Sequence, residues 1–106
     1  MHALMRLPAE VTIYTASELH PAWVSALPAM QARASAAMSS TVGVDASAVD
    51  EVDGAGVQLL LALANELHAL GLTLQLSPVS GPLREACAAM GAATLLACMA
   101  DEGAVA

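Results

Sequence analysis

The apolar and polar positions of this chain change their spacing several times, and each spacing predicts an element of secondary structure. Residues 72–77 alternate, with leucine at every second position, which is typical of a strand. Residues 41–46 form another apolar run with β-branched side chains and predict a second strand. Between them, residues 54–70 carry apolar side chains at helical spacing over a wide arc, so more than a sheet must cover this helix. Gly71 is a natural end for it.

The N-terminal part of the chain has a weaker pattern. Residues 3–7 and 11–14 each predict a short strand, and together they predict a hairpin or a pair of strands near a sheet edge. A capping-box sequence that begins at Thr15 predicts a helix, and Pro28 predicts its end. Residues 29–40 are rich in alanine and weakly periodic, which leaves two interpretations open: a continued helix or a mobile connection.

The last third of the chain predicts one more helix and a terminal element. Residues 80–82 open the helix, with proline in its first turn, and residues 93–99 form an apolar strand or short helix. Residues 100–106 are expected to form a flexible tail. Strands separated by helices of this length predict an α/β fold, a single domain over residues 1–106 with its core at about 3–99. We expect a mixed, largely parallel sheet of four to five strands packed with helices.

Composition and charge narrow the classes of function. The chain is 58% hydrophobic and has a net charge of −7, with three Lys and Arg residues in all. Phosphate backbones are bound by clusters of Lys and Arg, so the composition argues against nucleic acid and against an anionic membrane surface as partners. A protein partner with a basic or apolar patch fits better. No apolar run is long enough to insert into a membrane, and the N-terminus is not leader-like, so we expect a cytoplasmic, soluble protein.

The chain offers little chemistry for catalysis or metal binding. Cys87 and Cys98 lack C-x-x-C spacing and are interpreted as reduced thiols packed as small apolar residues. The histidines are scattered, and no nucleophile or base shows a catalytic spacing, so we expect neither an enzyme nor a cofactor. The four acidic residues between positions 45 and 53 lack the alternation of a calcium loop. A solvated acidic segment is therefore expected there, rather than a metal site.

The turn Asp53-Gly54-Ala55-Gly56 joins the central strand region to the longest predicted helix. Asp53 takes the N-cap position, where its carboxylate accepts hydrogen bonds from the free N–H groups of the first helical turn. The two glycines leave the backbone bare and open to close approach. Two interpretations of Asp53 remain open: a helix cap alone, or a cap that also contacts a partner.

The run from residue 44 to residue 60 resembles the signature of STAS domains, the family of the anti-sigma factor antagonists and of the cytoplasmic domains of sulfate transporters. In that family a strand ends in Asp-Leu-Ser or similar, and a loop leads to Asp-Ser-Ser-Gly-Leu at the start of a helix. Here residues 45–47 (Asp-Ala-Ser) match the strand end, and residues 53–57 (Asp-Gly-Ala-Gly-Val) match the helix start. The resemblance extends over about residues 3–99.

One departure from the family pattern removes the family's usual switch. In the phosphoswitch members, the second Ser of Asp-Ser-Ser-Gly (Thr in some members) is phosphorylated by a partner kinase that is also the anti-sigma factor. Ala55 occupies that position here and Gly54 the preceding one, and neither has a hydroxyl. The resemblance therefore implies a non-phosphorylatable variant that keeps the docking role of the turn. Ser47, the nearest hydroxyl, is interpreted as a loop serine rather than a displaced phosphosite.

The resemblance implies a non-enzymatic protein-interaction domain in bacterial signalling, of the anti-sigma factor antagonist or chemotaxis-associated type, whose partner is a histidine kinase or anti-sigma factor. One alternative is the small STAS accessory subunit of a phospholipid-trafficking ABC transporter, whose partner is the transporter ATPase. Another is an anion- or nucleotide-binding module, which the local acidic residues disfavour. The apolar arc of the long helix permits a homodimer. The residues expected to contact the partner are Ser47, Asp50, Asp53, Gly54, Ala55, Gly56, Val57 and Leu60.

Overall fold

A computed structural model of the chain describes residues 5–99, and within them strands and helices alternate along most of the sequence. The elements are β1 (Met5–Arg6), β2 (Glu10–Val11), α1 (Ala16–Ala36), β3 (Thr41–Ala46), β4 (Glu51–Val52), α2 (Gly54–Ala69), β5 (Thr73–Val79), α3 (Gly81–Ala89) and α4 (Ala93–Cys98). The tail predicted at residues 100–106 and the first two residues of the strand predicted at residues 3–7 lie outside the described residues.

The strands form two small parallel sheets. β3 is the centre of a three-stranded sheet in the order β1-β3-β5, and β2 pairs with β4 in a second sheet. Each described pairing is parallel, as where Val42 lies opposite Leu74 and where Glu10 lies opposite Glu51. The predicted α/β fold with parallel strands is confirmed, although the strands divide between two sheets. The prediction of an N-terminal hairpin is wrong, because β1 and β2 each pair with a later strand rather than with each other.

Helix α1 extends further than the sequence predicts, since it continues through both Pro21 and Pro28. A proline inside a helix removes a hydrogen bond and usually bends or ends the helix. Here the apolar face of α1 packs on α2 and β3, and burying a large apolar side chain stabilises by about 1.5–3 kcal/mol. That burial offsets the loss at the prolines, and the first of the two interpretations of residues 29–40, a continued helix, holds as far as the end of α1. The buried residues of α1 are Trp23, Met30 and Ala34.

Helix α2 lies at the centre of the core. It packs against α1, β5, α3 and α4, and its first turns also contact β2 and β4. The prediction that more than the sheet alone covers this helix is confirmed, because three other helices pack against it. Its buried residues are Gly56, Val57, Leu59, Leu60, Leu63, Ala64 and Leu67.

The C-terminal elements close the domain as the sequence predicts. Ser80 caps α3, with its side-chain oxygen 3.2 Å from the Leu83 N–H that donates to it. The apolar segment after α3 is a short helix, and Met99 beyond it forms a parallel bridge with Leu76 of β5. Cys87 is a buried free thiol, and burial raises the pKa of this side chain. Within residues 5–99 the helices are too short or too polar to cross a bilayer.

Candidate functional site

The N-terminus of α2 is closed by one carboxylate that makes two separate contacts. Asp53 Oδ1 accepts a hydrogen bond from the Gly56 N–H at 2.9 Å, which confirms the predicted helix cap. Asp53 Oδ2 accepts another from the Ile13 N–H at 3.1 Å, in the loop between β2 and α1. These two donors lie in segments that are far apart in the sequence. Asp53 therefore fixes the β2–α1 loop against the first turn of α2, a role that its sequence context did not predict.

The loop between β2 and α1 is held in one shape by its own threonines. The Thr12 N–H donates to Thr15 Oγ1 at 3.0 Å, and Thr12 Oγ1 donates to Glu10 Oε2 at 2.7 Å while accepting from the Tyr14 N–H at 3.2 Å. The Thr15 side chain makes no capping bond to α1, so the predicted capping box is wrong. With the polar groups turned inward, the apolar side chains of Ile13 and Tyr14 are left exposed.

The two glycines of the turn have different roles. Gly56 is buried, and a Cβ atom placed there would lie 1.8 Å from the Val11 carbonyl oxygen, so only glycine lets α2 approach β2 this closely. Gly54 is exposed, and a Cβ atom there would meet only the flexible end of Met90, with Cε at 3.5 Å. Gly56 is therefore a packing residue, whereas Gly54 leaves bare backbone at the surface.

The residues predicted to contact a partner divide by exposure. Gly56, Val57 and Leu60 are buried, and the residues Val57 and Leu60 are 0% exposed. The structure therefore places these three in the core rather than at a surface that a partner can contact. Val57 and Leu60 belong to the hydrophobic core, and this burial fixes the position of the turn. The other five predicted contact residues are all exposed or partly exposed, and we call this predicted set the docking surface: Ser47, Asp50, Asp53, Gly54 and Ala55.

Ser47 closes the end of β3 rather than presenting a free hydroxyl. Its Oγ donates to Asp45 Oδ1 at 2.6 Å, its N–H donates to the same atom at 2.9 Å, and Arg6 Nε lies 3.4 Å from Asp45 Oδ2. The hydrogen bond from the Ser47 hydroxyl, followed by the one from the Ser47 N–H, lowers the pKa of Asp45. A phosphate on Ser47 would lose that hydrogen bond and place its negative charge beside a carboxylate. The geometry thus favours the interpretation of Ser47 as a loop serine.

The side chains around the turn are acidic, and they form no ion pair with a basic residue among residues 5–99. Among residues 5–99 the ion pairs are Arg6 with Asp45 and His20 with Glu66, so the acidic groups next to the turn have no basic partner in that part of the chain. Nor do residues 5–99 hold a group of three or more His, Cys, Asp or Glu placed to bind a metal ion. We call the unpaired acidic groups the acidic rim, and they are Glu10, Asp50, Glu51 and Asp53.

The sequence did not reveal three residues of this region: Ile13, Tyr14 and Met90. The first two were assigned to a strand because they are apolar and β-prone. The threonines on either side of them, three residues apart, were the signal of a side-chain-stabilised turn that could have found the loop. No sequence signal places Met90 beside Gly54, because that contact depends on how α3 packs.

Replacing Asp53 with asparagine is expected to lower the Tm of the domain by about 5 °C at neutral pH, since an amide oxygen can accept only one of the two bonds. Hydrogen bonds from two backbone N–H groups lower the pKa of Asp53 below its ordinary value. The bond from Ile13 has the larger effect and the bond from Gly56 the next. The contribution of the charged form is therefore complete above the unfolded pKa of about 3.9 and is lost as the pH falls through the lower folded pKa. Thermal melts of both proteins across this range check the effect.

The gap in Tm between Asp53→Asn and the wild type should close as the pH falls below about 4. Asp50→Asn is the matched control, because the Asp50 side chain is exposed and makes no hydrogen bond among residues 5–99. A constant gap at every pH would show that the charge of Asp53 does not hold the two segments together.

One comparison with known proteins covers nearly the whole chain. A protein-family model described as "Mlab, STAS domain" matches residues 2–97. The match includes the strand end at residues 45–47 and the helix start at residues 53–57, which form the site described above. No curated protein matches the chain.

Proposed function

The chain belongs to the STAS family, and on that premise we propose that it is a non-enzymatic docking module that binds a protein partner at the N-terminus of α2 without a phosphate switch. STAS domains are generally non-catalytic binding domains that mediate protein–protein interactions. The observation that carries the proposal is the pairing of an intact turn with two residues, Gly54 and Ala55, that have no hydroxyl. The turn can still be bound, but it has nothing for a kinase to modify.

The shape of the docking surface supports direct contact by a partner backbone or side chain. Gly54 is exposed at the first position of α2, where N–H groups are not used within the helix. Asp53 has both carboxylate oxygens engaged, so the surface is fixed before a partner arrives. A preorganised surface loses less conformational entropy on binding.

Two classes of protein partner fit this module: the ATPase of a phospholipid-trafficking ABC transporter, and a histidine kinase or anti-sigma factor of a signalling system. We place the transporter ATPase first, because it needs only a docking surface, whereas a kinase partner of the phosphoswitch type acts on a hydroxyl that residues 54 and 55 lack. An anion or nucleotide ligand is disfavoured by the acidic rim, whose charge would repel it.

Capture of the cellular partner tests the proposal with a matched pair of variants, Gly54→Arg and Gly81→Arg. Both glycines are exposed and begin a helix, and a Cβ atom on Gly81 meets nothing within 4 Å. The full chain and each variant are expressed in the organism that encodes the chain, crosslinked, purified and analysed by quantitative mass spectrometry. We expect the partner to be lost with Gly54→Arg and kept with Gly81→Arg.

The identity of the captured protein separates the two partner classes. An ATPase recovered together with a permease supports the transporter, and a kinase or anti-sigma factor supports signalling. A Gly54→Arg protein that melts like the wild type and still keeps all of its partners contradicts docking at this turn.

A further inference from the structure

Exposed apolar side chains lie on the two segments that contact the N-terminus of α2. Ile13 is 60% exposed, Tyr14 84% and Met90 46%. Ile13 is tied to the turn through its N–H bond to Asp53, and Tyr14 follows it in the same loop. The end of the Met90 side chain lies over Gly54. We call Ile13, Tyr14, Gly54 and Met90 the apolar patch.

The exposure of Tyr14 is unusual for this composition. The chain has one Trp, one Tyr and no Phe, and Trp23 is buried in the core while Tyr14 is almost wholly exposed. A tyrosine that serves only folding buries most of its ring. Tyrosine is also among the residues that contribute most to binding at protein interfaces. The position of Tyr14 thus indicates a contact with another molecule.

The acidic rim lies beside the apolar patch and gives it a definite charge. Glu10 and Glu51 occupy paired positions on β2 and β4, and Asp50 and Asp53 flank β4. Asp53 links this sheet to the patch through its bond to Ile13. Four neighbouring carboxylates repel one another, and a positively charged partner relieves that repulsion. Anionic lipid and nucleic acid have the wrong sign of charge.

We propose that the apolar patch and the acidic rim together bind a basic amphipathic segment of the protein partner. Its apolar side chains contact the patch, and its Lys or Arg side chains face the rim. The inference rests on the proposed docking function and adds the chemistry of the partner.

The segment's chemistry is tested with three synthetic peptides titrated into the full-length ¹⁵N-labelled protein and followed by NMR. The first places Leu and Lys at amphipathic helical spacing. The second replaces each Lys with Glu, and the third replaces each Leu with Ser. We expect the Leu/Lys peptide to shift the amide signals of Ile13, Tyr14, Gly54 and Met90, and both control peptides to bind at least about tenfold more weakly.

Substitutions in the patch test its location. Tyr14→Ser and Met90→Gln are each expected to weaken the Leu/Lys peptide at least about tenfold, since residues at the centre of an interface carry most of its affinity. Met38→Gln is the matched control, because Met38 is 95% exposed and lies before β3, away from the strand end that adjoins the turn. All three side chains are exposed, so the variants should fold.

Several results overturn the inference: signal shifts away from the patch, equal binding of the Leu/Glu or the Lys/Ser peptide, or no binding of the Leu/Lys peptide. Sedimentation that shows a dimer dissociated by Tyr14→Ser also overturns it, because the occupant is then a second copy of the chain. If the peptides fail while Gly54→Arg still removes the cellular partner, the docking function stands and only the partner's chemistry is wrong. If both fail, the docking function is wrong as well.

Discussion

Gly56→Ala is expected to destabilise the domain by about 3 kcal/mol, the upper end of what overpacking a core usually costs. The added Cβ atom would lie 1.8 Å from the Val11 carbonyl oxygen and 2.8 Å from the Val11 carbonyl carbon. Both are backbone atoms of β2, which is paired with β4, so no side-chain rotation removes the clash. Either α2 or β2 must move. Chemical denaturation monitored by circular dichroism measures the loss.

Gly54→Ala is the matched control, with the same chemical change two residues away. Its Cβ atom would meet only the Met90 side chain, at the ordinary contact distance of 3.5 Å. Alanine has less freedom than glycine in the unfolded chain, so we expect stability to rise by about 0.4–1 kcal/mol. If the two variants unfold at the same denaturant concentration, α2 does not lie against β2 as closely as the structure has it.

Leu60→Ala is expected to lower the free energy of unfolding by about 2–5 kcal/mol, the usual loss for truncating a buried leucine. The Leu60 side chain is 0% exposed in the centre of α2, although the sequence assigned it to partner contact. Leu70→Ala is the control, because Leu70 is 39% exposed at the end of the same helix and should cost less than about 1 kcal/mol.

Denaturation and partner binding measured on the same Leu60→Ala protein separate a core role from a contact role. If Leu60 is a core residue, Leu60→Ala lowers the unfolding midpoint, and the fraction of the protein that stays folded still binds the partner. If Leu60→Ala unfolds like the wild type but loses its partner, Leu60 belongs to the docking surface after all.

Elements with a long, regular pattern were predictable from the sequence. The strand at residues 41–46 has the bounds of β3, and the helix at residues 54–70 differs from α2 by one residue. The cap at Asp53 was also predictable, because capping depends on local sequence alone. These predictions succeed where local preference and tertiary packing agree.

Elements decided by packing were not predictable in the same way. β4 is two residues long, too short for any alternation of apolar and polar residues to show in the sequence. Pro28 was expected to end α1, but the burial of Met30 and Ala34 beyond it keeps the helix in place. Gly54 and Gly56 look alike in the sequence, and only the position of β2 makes one a surface residue and the other a core residue.

The candidate site was only partly predictable from the sequence, because packing between distant segments also decides part of it. Its turn could be located from the spacing of Asp53 and the glycines, whereas its apolar patch depends on contacts between distant segments. Asp53 brings Ile13 to the turn, and the packing of α3 brings Met90. The site is therefore an assembly of three segments around α2, of which the sequence indicated one.

Loss of the hydroxyl changes what kind of regulation the site can have. A phosphoswitch alternates between a bound and a released state through a charge added at the helix N-terminus. On the proposed function, glycine and alanine at residues 54 and 55 leave binding to depend on expression, on competition or on another ligand. A continuously available docking surface suits a stable assembly.

Calorimetric titration of the captured partner with purified, unphosphorylated protein tests the central claim most directly. The claim predicts that the wild type binds without being phosphorylated, and that Gly54→Arg binds at least about tenfold more weakly. Gly81→Arg should match the wild type. Binding that appears only after phosphorylation of Ser47, or a Gly54→Arg protein that binds as tightly as the wild type, would contradict it.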